Sequence, residues 1–193
     1  MDQIKEQIAR EVEDLAPDLF AISDFLKANP EIAYQEFKAC DHLCQVLSEK
    51  GFLVQKGVGS VETAFLARPA DCSPARPSVA ILAEYDALPK IGHGCGHNMI
   101  AAASLGAAMV LKQLLGSEAG GVTVVGTPAE EGGGGKVRLA DAGVFGEVTV
   151  NVAVVPGGEV MTQQRPDQAV DEPGVGHHCN ACIGIDLQAC FQR

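Results

Sequence analysis

Ile4, Ile8, Val12, Leu15 and Leu19 recur every three to four positions among charged neighbours. That period predicts an amphipathic helix with one apolar stripe. Pro17 lies inside it, lacks an N–H and crowds the preceding turn, so a bend or a split is expected there. Asn29-Pro30-Glu31 interrupts the pattern, after which Phe37, Cys40, Leu43 and Leu47 repeat as a second helix that ends at Gly51. The pattern then shortens to apolar runs at Phe52 to Val54, Ala64 to Ala67 and Val79 to Ala83, separated by Gly and Pro clusters and short enough for strands. Asn98 can cap a helix running to Leu115, Val122 to Val125 reads as a buried strand, and Lys136 to Ala142 as a short helix closed by Gly143. Buried strands alternating with helices predict an α/β fold. After about Val155, Gln, Pro, Gly and Asp dominate and no period persists through Gly176, so an irregular tail is expected.

Composition narrows the function classes. The chain has 193 residues, 47% hydrophobic and 20% charged, values of an ordinary globular chain of one domain or a little more. A net charge of -11 repels nucleic acid and anionic membrane, so neither is an expected partner. The longest apolar stretch, Met99 to Leu111, carries Ser104 and Gly106 and falls short of the ~20 residues a bilayer span requires. Met1-Asp-Gln-Ile-Lys-Glu-Gln lacks the apolar core of a secretory signal, which makes a cytoplasmic location the expectation. Seven cysteines, an odd number, then read as thiols or metal ligands rather than a disulfide framework.

Three segments concentrate chemistry: Glu84 to Pro89, Gly92 to Asn98, and Gly126 to Gly132. Each follows an apolar run or begins a helix. In an open α/β sheet ligands bind at the carboxyl ends of strands, where Asp86 and the pair Glu130-Glu131 fall, so the three can converge on one crevice. Cys95 and His97 stand two apart among glycines, and thiolate and imidazole are good zinc ligands to which a carboxylate such as Glu131 adds a third. Neighbouring glutamates in an extended chain point to opposite sides. One carboxylate would therefore ligate while the other takes a proton from the attacking water. Plainer readings stand beside these: a tight turn with a buried thiol at Cys95, a solvated loop at Glu130-Glu131, a turn cap at Asp86, and ordinary surface at His42.

Other motifs fail. Gly132 to Lys136 looks like a phosphate loop, but the required Gly and the Ser or Thr are replaced by Glu130 and Val137. Gly92-His-Gly-Cys-Gly lacks the third glycine of the dinucleotide pattern. In the tail, His177-His178-Cys179-Asn180-Ala181-Cys182 offers soft ligands, yet no second Cys-x-x-Cys completes a closed tetrahedral set.

The motifs Asn29-Pro30-Glu31 with Glu36, Ala83 to Pro89, Ile91 to Asn98 and Gly126 to Lys136 occur in an order that resembles the zinc-dependent amidohydrolases of peptidase family M20, aminobenzoyl-glutamate hydrolase branch, over about Ile22 to Val148. The resemblance implies the N-terminal part of a mixed-sheet α/β catalytic domain over residues 1–148, with 149–193 a divergent tail. It places Cys95, His97 and Glu131 on metal ligands, Glu130 on the general base, and Asp86 on a supporting acidic position; His93 receives no metal. Two zinc ions are implied in the intact site. The implied substrate is a small dipeptide or N-acyl amino acid, such as a β-alanyl-lysine-type dipeptide with a C-terminal basic residue. Family members often homodimerise through a lid domain, which has no counterpart here. The chain also reads Val154-Val155-Pro156 where the family carries a His-Pro ligand. The alternative reading is thus a catalytically inactive, truncated form that at most interacts with a full-length partner.

Overall fold

The computed structural model describes residues 2–74, 78–146, 148–154, 160–164 and 181–182. The helices are α1 (Asp2–Ala28), α2 (Phe37–Glu49), α3 (His97–Leu115) and α4 (Gly135–Asp141); the strands are β1 (Phe52–Lys56), β2 (Phe65–Pro69), β3 (Val79–Ala83), β4 (Val122–Gly126), β5 (Val150–Val154), β6 (Val160–Gln164) and β7 (Ala181–Cys182). Among the described residues the strands form one sheet in the order β1-β2-β4-β3-β5-β6-β7. Its centre is parallel, with β3 between β4 and β5, and its outer pairs are antiparallel.

Side-chain alternation along the central strands divides the core into two layers. Ile81 and Ala83 of β3 face a cluster with Leu26, Leu43, Leu47, Phe65, Leu105 and Met109, built by α1, α2 and α3. Ala80 and Leu82 face the opposite layer with Val58, Val61, Val125 and Leu139, on the side of α4. Gly126 closes β4 because only glycine fits there: a Cβ would stand 2.2 Å from the Phe65 ring.

Several expectations change. Pro17 does not divide the first helix; α1 is one element through it. Ile4 and Ile8 of the predicted stripe are exposed, while Ile22 and Leu26 near the other end are buried, so the helix docks through its C-terminal half. Asn98 is not a cap: Gly96, with φ 82°, occupies that position, and the Asn98 amide donates to Ser23 Oγ at 2.8 Å. His42 is not plain surface but half-buried, stacked on Phe25 with ring centroids 3.9 Å apart. The region expected to be irregular after Val155 contains β6 and the two-residue β7, paired onto the edge at β5. Residues 97–121 are also long and apolar enough to cross a membrane by length and composition, with half of their most apolar 18 residues buried in the chain's own core.

Candidate metal centre

β3 and β4 end side by side, Ala83 opposite Gly126. Both continue into the acidic loops, at the strand ends where open α/β sheets hold ligands. Thr127 stitches the two exits together, its N–H and its hydroxyl donating to the Ala83 carbonyl at 2.8 and 3.1 Å. The third arm is the start of α3, where the left-handed Gly96 turns the chain into His97.

His97 is 3% exposed, and the Asp86 segment fixes its ring. Nδ1 lies 2.8 Å from the Asp86 backbone oxygen and 3.1 Å from Oδ1 of the same residue. A carbonyl oxygen only accepts, so Nδ1 carries the hydrogen and Nε2 is left facing the centre. There Nε2 meets Glu84 at 3.5 Å, Glu131 at 3.7 Å and Glu130 at 3.8 Å. Donor atoms of His97, Glu130 and Glu131 all lie within 4.8 Å of one another. The two glutamates were expected to diverge, but that rule holds for extended chain, and Glu130 to Gly133 form a turn. Ala129, immediately before it, has φ 57°.

Cys95, expected as a ligand, is half-buried and is not among the converging donors, though the Glu131 carboxylate influences its thiol. Asp86 is 1% exposed and sits behind the converging donors. Its Oδ2 accepts the Glu131 N–H at 2.9 Å while the backbone carbonyl of the same residue accepts from the His97 ring, so Asp86 secures both through different groups. Burial opposes its charge, but the His97 ring and the amides of Glu131 and Glu130 outweigh that and hold its pKa below the usual aspartate value. His93 is not among the converging donors.

Two residues given no role from sequence complete the charge pattern. Glu84 and Lys136 pair at 2.5 Å, and Lys136 Nζ is also 3.5 Å from Glu130 Oε1. In the sequence Lys136 closes the motif Gly126 to Lys136 and follows four glycines that fit no phosphate loop, and neither feature assigned it a role.

The imidazole nitrogen and carboxylate oxygens that converge here suit a borderline divalent ion such as zinc. An Nδ1–H held by a backbone carbonyl or carboxylate is the support that leaves Nε2 free to ligate. The proton balance agrees with this fit. Burial disfavours charge on His97, but hydrogen bonds to Asp86 and the charges of Asp86 and Glu84 prevail, and its pKa is pushed up to about 9. The Cys95 thiol is pushed up to about 11, chiefly by the nearby Glu131 carboxylate. Without a metal both groups therefore hold protons at neutral pH. His97's folded value is raised, so its protonation stabilises the metal-free fold fully below its ordinary pKa of about 6.5 and ceases to do so as pH rises through about 9. An ion held by His97 and Cys95 would displace both protons. Calorimetry at pH 7.5 in buffers of different ionisation heat should show release of one proton from the ring and one from the thiol per ion, with Cys95→Ala losing one of them.

The family model for peptidase family M20/M25/M40 matches residues 80–185, past residue 148 where the resemblance was expected to stop. The chain is 37% identical over 190 residues to a Mus musculus Xaa-Arg dipeptidase, covering 92% of this chain and 42% of that protein. It is 36% identical over 146 residues to a p-aminobenzoyl-glutamate hydrolase polypeptide of Escherichia coli, covering 66% and 30%. A Bacillus subtilis structure described as a dinuclear metal binding peptidase superposes with a TM-score of 0.60 at 27% identity, over 71% of this chain and 42% of that one. The chain spans less than half the length of the curated relatives it matches.

Proposed function

The chain belongs to peptidase family M20/M25/M40, and from that premise we propose that it carries metal-binding and proton-transfer groups for hydrolysis of an amide bond in a small substrate. The observation that carries this reading is the convergence of His97, Glu130 and Glu131 within 4.8 Å, around an imidazole whose other nitrogen is tied to Asp86. His97, Glu131 and Cys95 would hold zinc, with a second ion expected once all the family's ligands are present. Zinc bound there supplies Lewis acidity, which polarises the amide carbonyl and makes water a better proton donor.

The remaining work falls to side chains of this chain. Glu130 is 36% exposed and open to a substrate. Its carboxylate takes the proton of the attacking water and returns it to the leaving amine. Lys136 Nζ, 3.5 Å from Glu130 Oε1, restrains which oxygen faces the reaction. Asp86 fixes the His97 ring and the backbone of Glu131.

Dipeptides with a C-terminal basic residue are the substrates to test first. The mouse and human relatives, 37% and 32% identical, are each called Xaa-Arg dipeptidase. The carboxylates of Glu84, Asp86, Glu130 and Glu131 also favour a cationic ligand electrostatically. Assay of the purified chain with zinc and β-alanyl-lysine, beside an uncharged N-acyl amino acid, tests the reading. Zinc-dependent turnover that prefers the basic dipeptide supports it. Bound zinc with no turnover of either substrate supports the inactive alternative.

A further inference from the structure

The segment from Asn29 to Glu36 contributes no converging donor, yet it touches both acidic loops. The Glu31 carbonyl accepts the Ala87 N–H at 2.7 Å, one residue beyond Asp86. Its carboxylate accepts the Ala39 N–H at 2.9 Å, which anchors the segment to the start of α2. The Tyr34 hydroxyl donates to the Gly133 carbonyl, and a Cβ at Gly133 would lie 2.5 Å from the Tyr34 ring. Glu36 is fully buried at 0% exposure. Its Oε1 accepts the Ala129 N–H at 2.9 Å and its Oε2 accepts the Thr63 hydroxyl at 3.0 Å. Among the described residues no cation pairs with it.

A buried carboxylate with no counter-ion is costly, so its retention needs a reason. Ala129 provides one. With φ 57° and a Cβ, it occupies a left-handed conformation that costs about 1–2 kcal/mol and persists only where the surroundings enforce it. The surroundings here are few: Glu36 on the Ala129 N–H, and the Gly133 and Gly135 amides on the Ala129 carbonyl at 3.2 and 3.3 Å. The turn is closed tightly as well, since a Cβ at Gly135 would lie 1.8 Å from the Pro128 oxygen. The next two residues are Glu130 and Glu131.

We infer that Glu36 is a positioning residue for the metal centre: its buried side chain holds Ala129 left-handed and so aims Glu130 and Glu131 at the point that His97 Nε2 faces. The inference rests on the metal-centre reading above. Oε1 faces the Ala129 N–H, which can only donate, and Oε2 accepts from the Thr63 hydroxyl, so an acceptor-only carboxylate fits this seat. An N–H bound to an ionised acceptor is roughly twice as strong as a neutral pair, which suits a contact that must offset backbone strain.

The test compares wild type, Glu36→Ala and Glu36→Gln in the full chain by amide hydrogen exchange and by zinc affinity in a chelator competition. In Glu36→Ala, exchange across residues 127–135 should accelerate at least about tenfold while β4 stays protected. Zinc affinity should fall about 10–100-fold, the usual effect of losing a group that orients ligands. Glu36→Gln, whose side-chain carbonyl can still accept from Ala129, should recover most of that affinity. Should Glu36→Ala not fold, Thr63→Val removes only the hydroxyl donor on a similar volume and should loosen the same turn to a smaller degree. Unchanged exchange over 127–135 overturns the inference. So does faster exchange with wild-type zinc affinity, which would make Glu36 merely structural. Wild type that binds no zinc would remove the metal centre itself, while the exchange comparison would still decide whether Glu36 holds the turn.

Discussion

Glu130→Gln is expected to lower turnover by at least 10²–10⁴-fold, the usual contribution of a general base, while zinc stays bound. Gln keeps the volume and the hydrogen bonding of the side chain but cannot take a proton at neutral pH. His97, Glu131 and Cys95 are untouched by the change, and Asp86 still fixes the His97 ring and the Glu131 amide. Glu130 is 36% exposed, so stability should move by no more than about 0.5 kcal/mol, as for an ordinary surface substitution. The check is kcat with zinc content measured on the same preparation. Activity within about tenfold of wild type would place the base elsewhere.

Asp86→Ala is expected to act through the metal instead. The Asp86 carboxylate accepts the Glu131 N–H at 2.9 Å and lies 3.1 Å from His97 Nδ1. Its loss leaves that amide without its acceptor and costs about 1–3 kcal/mol of stability. The backbone carbonyl that holds the His97 ring remains, so zinc affinity should fall, by about 10–100-fold, through the released Glu131 backbone and the lost carboxylate beside Nδ1. Denaturant unfolding of the metal-free chain reads the first effect and chelator competition the second. Asp86→Asn should retain more stability than the alanine variant, because its side-chain oxygen can still accept from Glu131.

Local pattern made most elements legible. The apolar runs at Val79 to Ala83 and Val122 to Val125 became β3 and β4, because a continuous short apolar run is what a strand buried on both faces requires. Pro17 misled because its effect depends on whether packing carries the helix through it, and the C-terminal half of α1 is anchored by Ile22 and Leu26. In the tail, β6 takes its pairing from β5, and Val160–Gln164 has too few apolar residues to announce a strand. Within the site, Cys95, His97, Asp86, Glu130 and Glu131 stood out through residue type and position. Glu36 and Lys136 fell within the motifs of the resemblance but without a role: Glu36 meets Ala129 across 93 residues, and nothing local encodes that contact. The adjacent glutamates were misread for a related reason, since the left-handed Ala129 that folds them together has none of the glycine or asparagine that usually marks such a conformation.

His177, His178 and Cys179 lie outside the described residues. They nevertheless define the sharpest alternative to a centre built on His97, because together with Cys182 they are the other concentration of soft ligands in the chain. Zinc content of three full preparations, His97→Ala, Cys95→Ala and a form lacking Val175 to Arg193, separates the two by metal analysis after equilibrium dialysis. The centre described here predicts that the tail deletion keeps its zinc, that His97→Ala loses it, and that Cys95→Ala binds it weakly. Zinc retained by His97→Ala and lost only with the tail would contradict the account and move the site to His177 to Cys182.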